Sequence, residues 1–102
     1  MAELISILKA LSDETRYNLV KTLVSHDYCV RALAKRLNIS ESGVSQHLKI
    51  LRNAGIVKGD KRGYYTHYWV DREALKDAAN KIIDLSCTPP ATEKCNERFG
   101  PE

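Results

Sequence analysis

The segment at residues 38–57 constrains the fold of this chain more than any other. Ser40 is a residue type that caps helix N-termini and Gly55 is a type that follows helix C-termini, so the residues between them predict one helix. Its apolar residues recur at helical spacing and would face a core: Val44, Leu48 and Leu51. The opposite face is small and polar, which predicts an outer surface that is free to contact a partner.

A second predicted helix directly precedes this one. Residues 30–37 carry apolar side chains at helical spacing. Asn38-Ile39 supplies the tight corner, because asparagine tolerates the left-handed conformation that helix ends often need. Two helices joined by such a short turn form a helix-turn-helix. The second helix of that motif lies in the major groove of DNA, which makes residues 40–53 a predicted recognition helix.

Two strands are predicted after the helix pair, at residues 56–60 and 64–70. Alternating side chains mark the second strand, and Asp60-Lys61-Arg62-Gly63 is predicted to join the two. A hairpin with a basic tip after a recognition helix is a wing, whose tip can reach backbone phosphate or the minor groove. A solvated hairpin without a ligand would carry the same charges, but the neighbouring helix pair favours the wing.

The distribution of charge agrees with binding to DNA. The 102-residue chain has a formal net charge of only +3, yet residues 31–62 contain eight basic and two acidic side chains. The positive charge therefore lies on the helix pair and the hairpin, where contact with phosphates is expected. The sequence contains no nucleophile elbow, Gly-rich phosphate loop or zinc-protease helix, so we expect no enzymatic activity.

Apolar stripes at both ends of the chain predict a dimerisation layer. A second helix is expected at Glu14–Ser25, and a last helix from Arg72 to about Leu85. The apolar positions of the first two helices are Leu4, Ile5, Leu8, Leu11, Tyr17, Val20, Leu23 and Val24, the last four expected to point inward. We therefore predict a mainly α fold with a small β-hairpin. A winged helix-turn-helix would occupy residues 1–86, with its terminal helices pairing two copies, and an irregular tail residues 87–102.

No segment has the pattern of a secretion leader or a membrane span. The N-terminus lacks a positive leader, and no run approaches the roughly 18 apolar residues that a span requires. Three cysteines are an odd number for a chain without a leader, which favours a reducing compartment. We expect a cytoplasmic protein without a membrane partner, whose thiols are free, metal-bound or redox-active.

Four segments together carry a family resemblance. They read LKALSDETRY at 8–17, CVRALAKRL at 29–37, VSQHLKILRNAGIV at 44–57 and YWVDREAL at 68–75. In this order they resemble the arsenic- and zinc-responsive repressors of the ArsR/SmtB family, over about residues 4–83. The resemblance implies a winged-helix homodimer that binds an inverted repeat in double-stranded DNA and leaves it when an inducer binds. The implied DNA contacts are Ser42, Ser45, Gln46 and Lys49 at the bases, Lys61 and Arg62 in the wing, and His47 either contacting DNA or bracing its helix.

The inducer site departs from the family pattern. Arsenic sensors of the family often carry Cys-x-Cys at the start of the third helix. Here Cys29 matches the first cysteine, but Arg31 stands in place of the second. Residues 71–85 contain no histidine, which disfavours the paired zinc ligands that other members carry on their last helix. Zn(II) held by His26 and Cys29 is an alternative, although a histidine at a helix C-terminus is also explained by the helix dipole.

Three cysteines are the candidate ligands for a soft ion. Cys29 is near a predicted helix N-terminus, which favours its thiolate, and Cys87 and Cys95 lie in the predicted tail. By the family resemblance, three thiolates suit As(III) or Sb(III) as inducer, and sulfur softness alone also admits Cd(II) or Pb(II). DNA binding itself would require no cofactor. The alternatives are thiol oxidation, no sensing role for these thiols, and a winged helix that serves as a protein–protein adaptor.

Overall fold

The computed structural model describes residues 3–91, which form five helices and a three-stranded antiparallel sheet. The elements in chain order are α1 (Leu4–Leu11), α2 (Glu14–Ser25), β1 (Tyr28–Cys29), α3 (Val30–Leu37), α4 (Glu41–Asn53), β2 (Val57–Arg62), β3 (Tyr65–Val70) and α5 (Arg72–Cys87). The α3–α4 pair followed by the β2–β3 hairpin confirms the predicted winged helix-turn-helix. Within the described residues, no helix is long and apolar enough to cross a membrane.

Local signals explain why the helices begin and end where they do. The Asp13 carboxylate accepts a hydrogen bond from the Arg16 backbone N–H at 3.0 Å, and this caps α2. The Ser40 hydroxyl accepts one from the Gly43 backbone N–H at 3.0 Å and caps α4. Asn38 has φ 57° and ψ 46°, the left-handed corner predicted between α3 and α4. The predicted bounds of α2 and α3 are therefore confirmed.

The core lies where the four N-terminal helices meet the start of the hairpin. Its largest fully buried side chains are Ile7, Leu19, Leu33, Leu48, Leu51, Ile56 and Val44. The apolar stripe predicted on α1 is divided between two surfaces. Leu4 and Leu11 pack against the core, whereas Ile5 and Leu8 are exposed. The first helix therefore closes the core with one side and leaves an apolar edge uncovered on the other.

The orientation of Tyr17 in α2 corrects one prediction. The sequence predicts Tyr17 facing inward, but half of its surface is exposed, and its ring lies 5.9 Å from the Lys21 Nζ. Leu19, Val20 and Leu23 form the buried face instead. Two residues are about 200° apart around an α-helix, so burying Leu19 turns Tyr17 outward.

The turn of the wing lies further along the chain than the sequence predicts. Arg62 pairs with Tyr65, so Gly63 and Tyr64 form a two-residue turn. The predicted turn at residues 60–63 is wrong because residues 60–62 are paired within β2. Gly63 has φ 67°, as the first central residue of a type II′ hairpin turn requires, and only glycine adopts this conformation without strain.

Strand β1 is an element that the sequence analysis did not identify. Tyr28 pairs with Tyr68 and Cys29 with His67, so β3 lies between β1 and β2. Two residues are too short to show the alternation that marks a strand. Cys29 is both the last residue of β1 and the N-cap residue of α3, which joins the wing sheet directly to the helix-turn-helix.

The last helix continues further than predicted. It ends at Cys87, so this cysteine lies on α5 and not in an irregular tail that begins at residue 87. Thr88 is extended, with φ −67° and ψ 123°, a conformation imposed by the proline that follows it. Pro89 therefore ends the helix, as predicted, but only after Cys87. Cys95 lies outside the described residues.

Candidate nucleic-acid interface

The outer face of α4 presents the polar side chains that the sequence predicts. All four of the expected base-facing residues are exposed: Ser42, Ser45, Gln46 and Lys49. The opposite face is buried through Val44, Leu48 and Leu51, so rotating the helix would expose three core side chains to water. The amide of Gln46 and the ammonium of Lys49 are therefore held on a surface from which base edges and phosphates can be reached.

His47 lies on the flank of α4 that faces α2. Its Nδ1 is 3.4 Å from Nη1 of Arg16, and the Nε of Arg16 donates a hydrogen bond to the Ala10 carbonyl oxygen at 2.7 Å. Arg16 thus connects the end of α1 to the recognition helix. The contact to Arg16 fits a bracing role for His47, while its contact with DNA, the other predicted role, stays a prediction.

Asp13, Arg16 and His47 form one half-buried cluster where α1, α2 and α4 meet. The Asp13 carboxylate accepts the hydrogen bond of the Arg16 backbone N–H, and this bond, with the charges of Arg16 and His47, holds the pKa of Asp13 below its ordinary value. Arg16 was not identified as a functional residue from the sequence, although it lies inside the segment at 8–17 that carries the family resemblance. The cluster positions α4 relative to α1 and α2.

The two basic residues predicted for the wing lie on opposite faces of its sheet. Residues paired directly across antiparallel strands share a face. Lys61 pairs with Thr66, whereas Arg62 pairs with Tyr65 on the other face. Lys61 makes no ion pair within residues 3–91 and is exposed. Lys61 is therefore without an ion-pair partner among the described residues, and the predicted contacts of both cations with DNA stay predictions.

Arg62 is engaged within the chain. Its Nη1 lies 2.5 Å from the Asp27 Oδ2 and 3.3 Å from the His67 Nδ1. The hydrogen bond from Arg62, with the charge of its guanidinium, lowers the pKa of the Asp27 carboxyl. This contact joins the wing to the loop before β1, so the geometry gives Arg62 a part in orienting the hairpin.

A polar cleft between α4 and the wing contains three residues that were not predicted as site residues from the sequence: Arg52, Asn53 and Tyr68. Its volume is about 320 Å³, and it is lined by Ser45, Lys49, Arg52, Asn53 and Tyr68. Arg52 follows Lys49 by three residues, so helical spacing alone could have placed it on this edge of α4. Tyr68 gave no such signal, because its approach to α4 depends on how the sheet packs.

The two described cysteines, Cys29 and Cys87, lie on different elements and form no disulfide bond with each other. Cys29 is half-buried at the end of β1 and Cys87 is exposed at the end of α5, and both thiols are free. Within residues 3–91, no three His, Cys, Asp or Glu side chains are grouped so as to hold a metal ion. His26, the alternative partner of Cys29, stacks edge-on against Tyr28 at 4.9 Å and lies 3.7 Å from Asp27.

The terminal helices expose the apolar side chains that a dimerisation layer needs. They are Ile5, Leu8, Ile82, Ile83 and Leu85. Of the 16 residues of α5, only Ala78 is fully buried in a single copy of the chain. The apolar side of α5 therefore has little cover from its own chain.

Comparison with known proteins relates this arrangement to regulators of transcription. The sequence model of a family described as "Bacterial regulatory protein, arsR family" matches residues 13–58. The chain is 37% identical over 81 residues to the arsenical resistance operon repressor of Escherichia coli (strain K12), covering 78% of this chain and 68% of that protein. It is 29% identical over 80 residues to the transcriptional repressor SdpR of Bacillus subtilis (strain 168). That match covers 78% of this chain and 89% of SdpR.

The solved structures show the same similarity in three dimensions. An ArsR-like transcriptional regulator from Rhodococcus sp. RHA1 superposes with a TM-score of 0.77 at 31% identity. The superposition covers 81% of this chain and 78% of that chain. The matched part therefore includes most of the residues that the structure describes.

Proposed function

Because this chain belongs to the arsR family of bacterial regulatory proteins, we propose that it is a homodimeric transcriptional repressor. In this proposal, α4 of each copy reads bases in the major groove of an inverted repeat, and the wings contact the DNA backbone or minor groove. The observation that carries the proposal is the exposed polar face of α4, held outward by its buried apolar face. A winged helix that only binds proteins would not require such a face.

Selection from random duplexes, followed by fluorescence anisotropy at several salt concentrations, tests this proposal. We expect the selected sequence to have two-fold symmetry, with half-site centres about one or two helical turns apart. Affinity should fall steeply with salt, because phosphate contacts release counterions. Failure to select any sequence, or binding without salt dependence, would contradict the repressor and favour the protein–protein adaptor.

We further propose that As(III) or Sb(III), held by the thiolates of Cys29, Cys87 and Cys95, is the inducer. Three sulfurs suit a thiophilic ion, and the similarity to a repressor of arsenical resistance supports the choice. Cys29 directly precedes α3, which packs on the recognition helix α4. An ion that draws Cys87 and Cys95 of either copy towards Cys29 would therefore strain the packing of α3 on α4. A coupling free energy of about 1–3 kcal/mol between inducer and DNA is typical of such regulators.

Single cysteine variants test the inducer site. Cys29→Ser, Cys87→Ser and Cys95→Ser should each keep operator binding but lose release by arsenite, as measured by anisotropy in a reducing buffer. Cd(II), Pb(II) and Zn(II) are titrated in parallel to establish which ion acts at the lowest concentration. An undiminished arsenite response in all three variants would exclude the site. Release by peroxide, but not by arsenite, would instead favour a thiol-redox repressor of the same fold.

A further inference from the structure

The cleft between the recognition helix and β3 has the chemistry of an anion site. Two cations line it, Lys49 and Arg52, which follow Ser45 by one and two helical turns along the same edge of α4. Neither cation pairs with a carboxylate within residues 3–91. Of the described residues, none that lines the cleft is acidic. Its two cations therefore form no direct ion pair among the described residues, although Arg52 also lines a neighbouring cleft with the carboxylates of Glu3, Asp71, Glu73 and Asp77.

The third donor comes from the wing and is positioned by a glycine. Tyr68 pairs across the hairpin with Gly59, and a Cβ atom built on Gly59 would lie only 2.8 Å from the Tyr68 Cε1. The aromatic ring therefore lies directly over the glycine, where any other residue would displace it. Tyr68 is partly buried and also packs against the core. It lines the same cleft as the two cations of α4.

We infer that this cleft binds one backbone phosphate of the DNA, with Lys49 and Arg52 as the charged ligands and the Tyr68 hydroxyl as a neutral donor. This assigns Lys49 to a phosphate instead of the base contact that the family resemblance implies. The inference rests on the proposed DNA-binding function. Arginine, lysine and tyrosine are the usual side-chain donors to phosphate oxygens, and such contacts set the register of a protein on the duplex. Because two ligands come from α4 and one from the wing, a single phosphate would hold both elements in one position on the DNA.

Three variants test the site by anisotropy, each with the selected operator and with a random duplex. Arg52→Ala should weaken binding to both duplexes by a similar factor and reduce the slope of log affinity against log salt by about 1. Tyr68→Phe keeps the ring and removes only the hydroxyl, so it should weaken both duplexes without changing the melting temperature. Gly59→Ala should reproduce that loss by displacing the ring. Lys81→Ala, which removes one positive charge from α5, is the matched control and should change neither quantity.

A methylphosphonate scan of the operator identifies the source of the phosphate. We expect one neutralised phosphate in each half-site to weaken the wild type by a larger factor than Arg52→Ala, in which only Lys49 and Tyr68 still contact that phosphate. Unchanged affinity and salt slope in Arg52→Ala, with normal operator binding by the wild type, would overturn the phosphate site alone. So would a loss confined to the operator, which would assign Arg52 to base reading.

Two further outcomes separate the site from the function on which it rests. The absence of any coupled phosphate, together with a shift of the Arg52 Nε resonance on adding inorganic phosphate, would make the cleft a site for a free anion and overturn its assignment to DNA. A wild type that shows no salt-dependent DNA binding would overturn the proposed function, and the phosphate site with it.

Discussion

Neighbouring residues on α4 have different surroundings and therefore different expected roles. Gln46 is exposed, and its amide can donate to and accept from one adenine at the same time. His47 is half-buried, with its Nδ1 directed at the Arg16 guanidinium. In the neutral ring, an Nδ1 that accepts from a guanidinium carries no proton, so the ring proton lies on Nε2. We therefore expect Gln46 to read a base and the adjacent His47 to hold the helix.

Replacing Gln46 should affect sequence preference more than affinity. Gln46→Ala is expected to cost about 1–3 kcal/mol at one position of each half-site, because a bidentate contact to adenine is lost. Lys61→Ala is the comparison, since a lysine in the wing should contact only phosphate and weaken all sequences alike. Anisotropy against a set of operators with single base changes measures both effects. The same uniform loss in the two variants would refute this division of roles.

Removing the Arg16 side chain should loosen α4. Arg16→Ala deletes the hydrogen bond to the Ala10 carbonyl and the contact to His47, at a cost of about 1 kcal/mol of unfolding free energy for each. Urea unfolding measures this loss, and ¹⁵N NMR of His47 should show its single tautomer become a mixture. Lys21→Ala, an exposed cation on the same helix, is the control. An unchanged tautomer in Arg16→Ala would show that the guanidinium does not set the state of His47.

The wing is an element whose direction is set by contacts at its base. The Asp71 backbone N–H donates to the Ile56 carbonyl oxygen at 2.7 Å, which closes the open end of the hairpin. Arg62 of β2 forms an ion pair with Asp27, which lies just before β1. Strand β1 itself pairs with β3. These contacts hold the hairpin at one angle to α4, which is necessary if helix and wing are to meet the same duplex.

The Asp27–Arg62 contact predicts a pH dependence. The hydrogen bond from Arg62 keeps the pKa of Asp27 below its ordinary value of 3.8. A carboxyl with a lowered pKa in the folded state stabilises the fold at pH values above 3.8, and this contribution is lost as the pH falls through the lowered pKa. A ¹³C NMR titration of the Asp27 carboxyl should show the lowered pKa in the wild type and an ordinary one in Arg62→Gln. The same midpoint in both proteins would rule out Arg62 as the cause.

The whole molecule is expected to be a pair of chains, because one copy leaves its last helix largely uncovered. The exposed apolar side chains of α1 and α5 lie on the two helices that the family resemblance predicts to form the dimer. Burying them against a second copy would remove apolar surface from water, the main driving force for association. A two-fold axis through this layer would set the separation of the two α4 helices and hence the spacing of the half-sites.

Charges placed in this layer should separate the two copies. Leu8→Glu combined with Ile83→Glu is expected to yield monomers that retain only non-specific affinity, as measured by sedimentation and anisotropy. Leu4 is a poor target because it is partly buried against the core, where a charge would lower the stability of each copy as well as of the dimer. Asn80→Glu adds the same charge to the polar side of α5 and should leave the dimer intact. A wild-type monomer that protects a single half-site would contradict the prediction.

Most helix boundaries and the outward face of α4 follow from local patterns in the sequence. Ser40, Asn38 and Gly55 act within a few residues of themselves, through caps and a left-handed corner, so their effects are visible without a fold. The 3.6-residue period likewise separates the buried and exposed sides of α4. The predicted base-facing residues could therefore be chosen from the sequence, because a single helix contains all of them.

The arrangement of the wing and the contacts of Arg16 and Arg62 depend on how distant parts of the chain pack. The turn at Gly63 moved because pairing across the whole hairpin selects the register, and a basic run at its end does not. Lys61 and Arg62 were predicted as one pair, yet adjacent strand residues point to opposite faces, and the Asp27 contact spans 35 residues. The Arg16–His47 contact spans 31 residues, and Tyr68 reaches the cleft only because it lies over Gly59. Contacts between such distant residues leave no period in the sequence, since they depend on how whole elements pack.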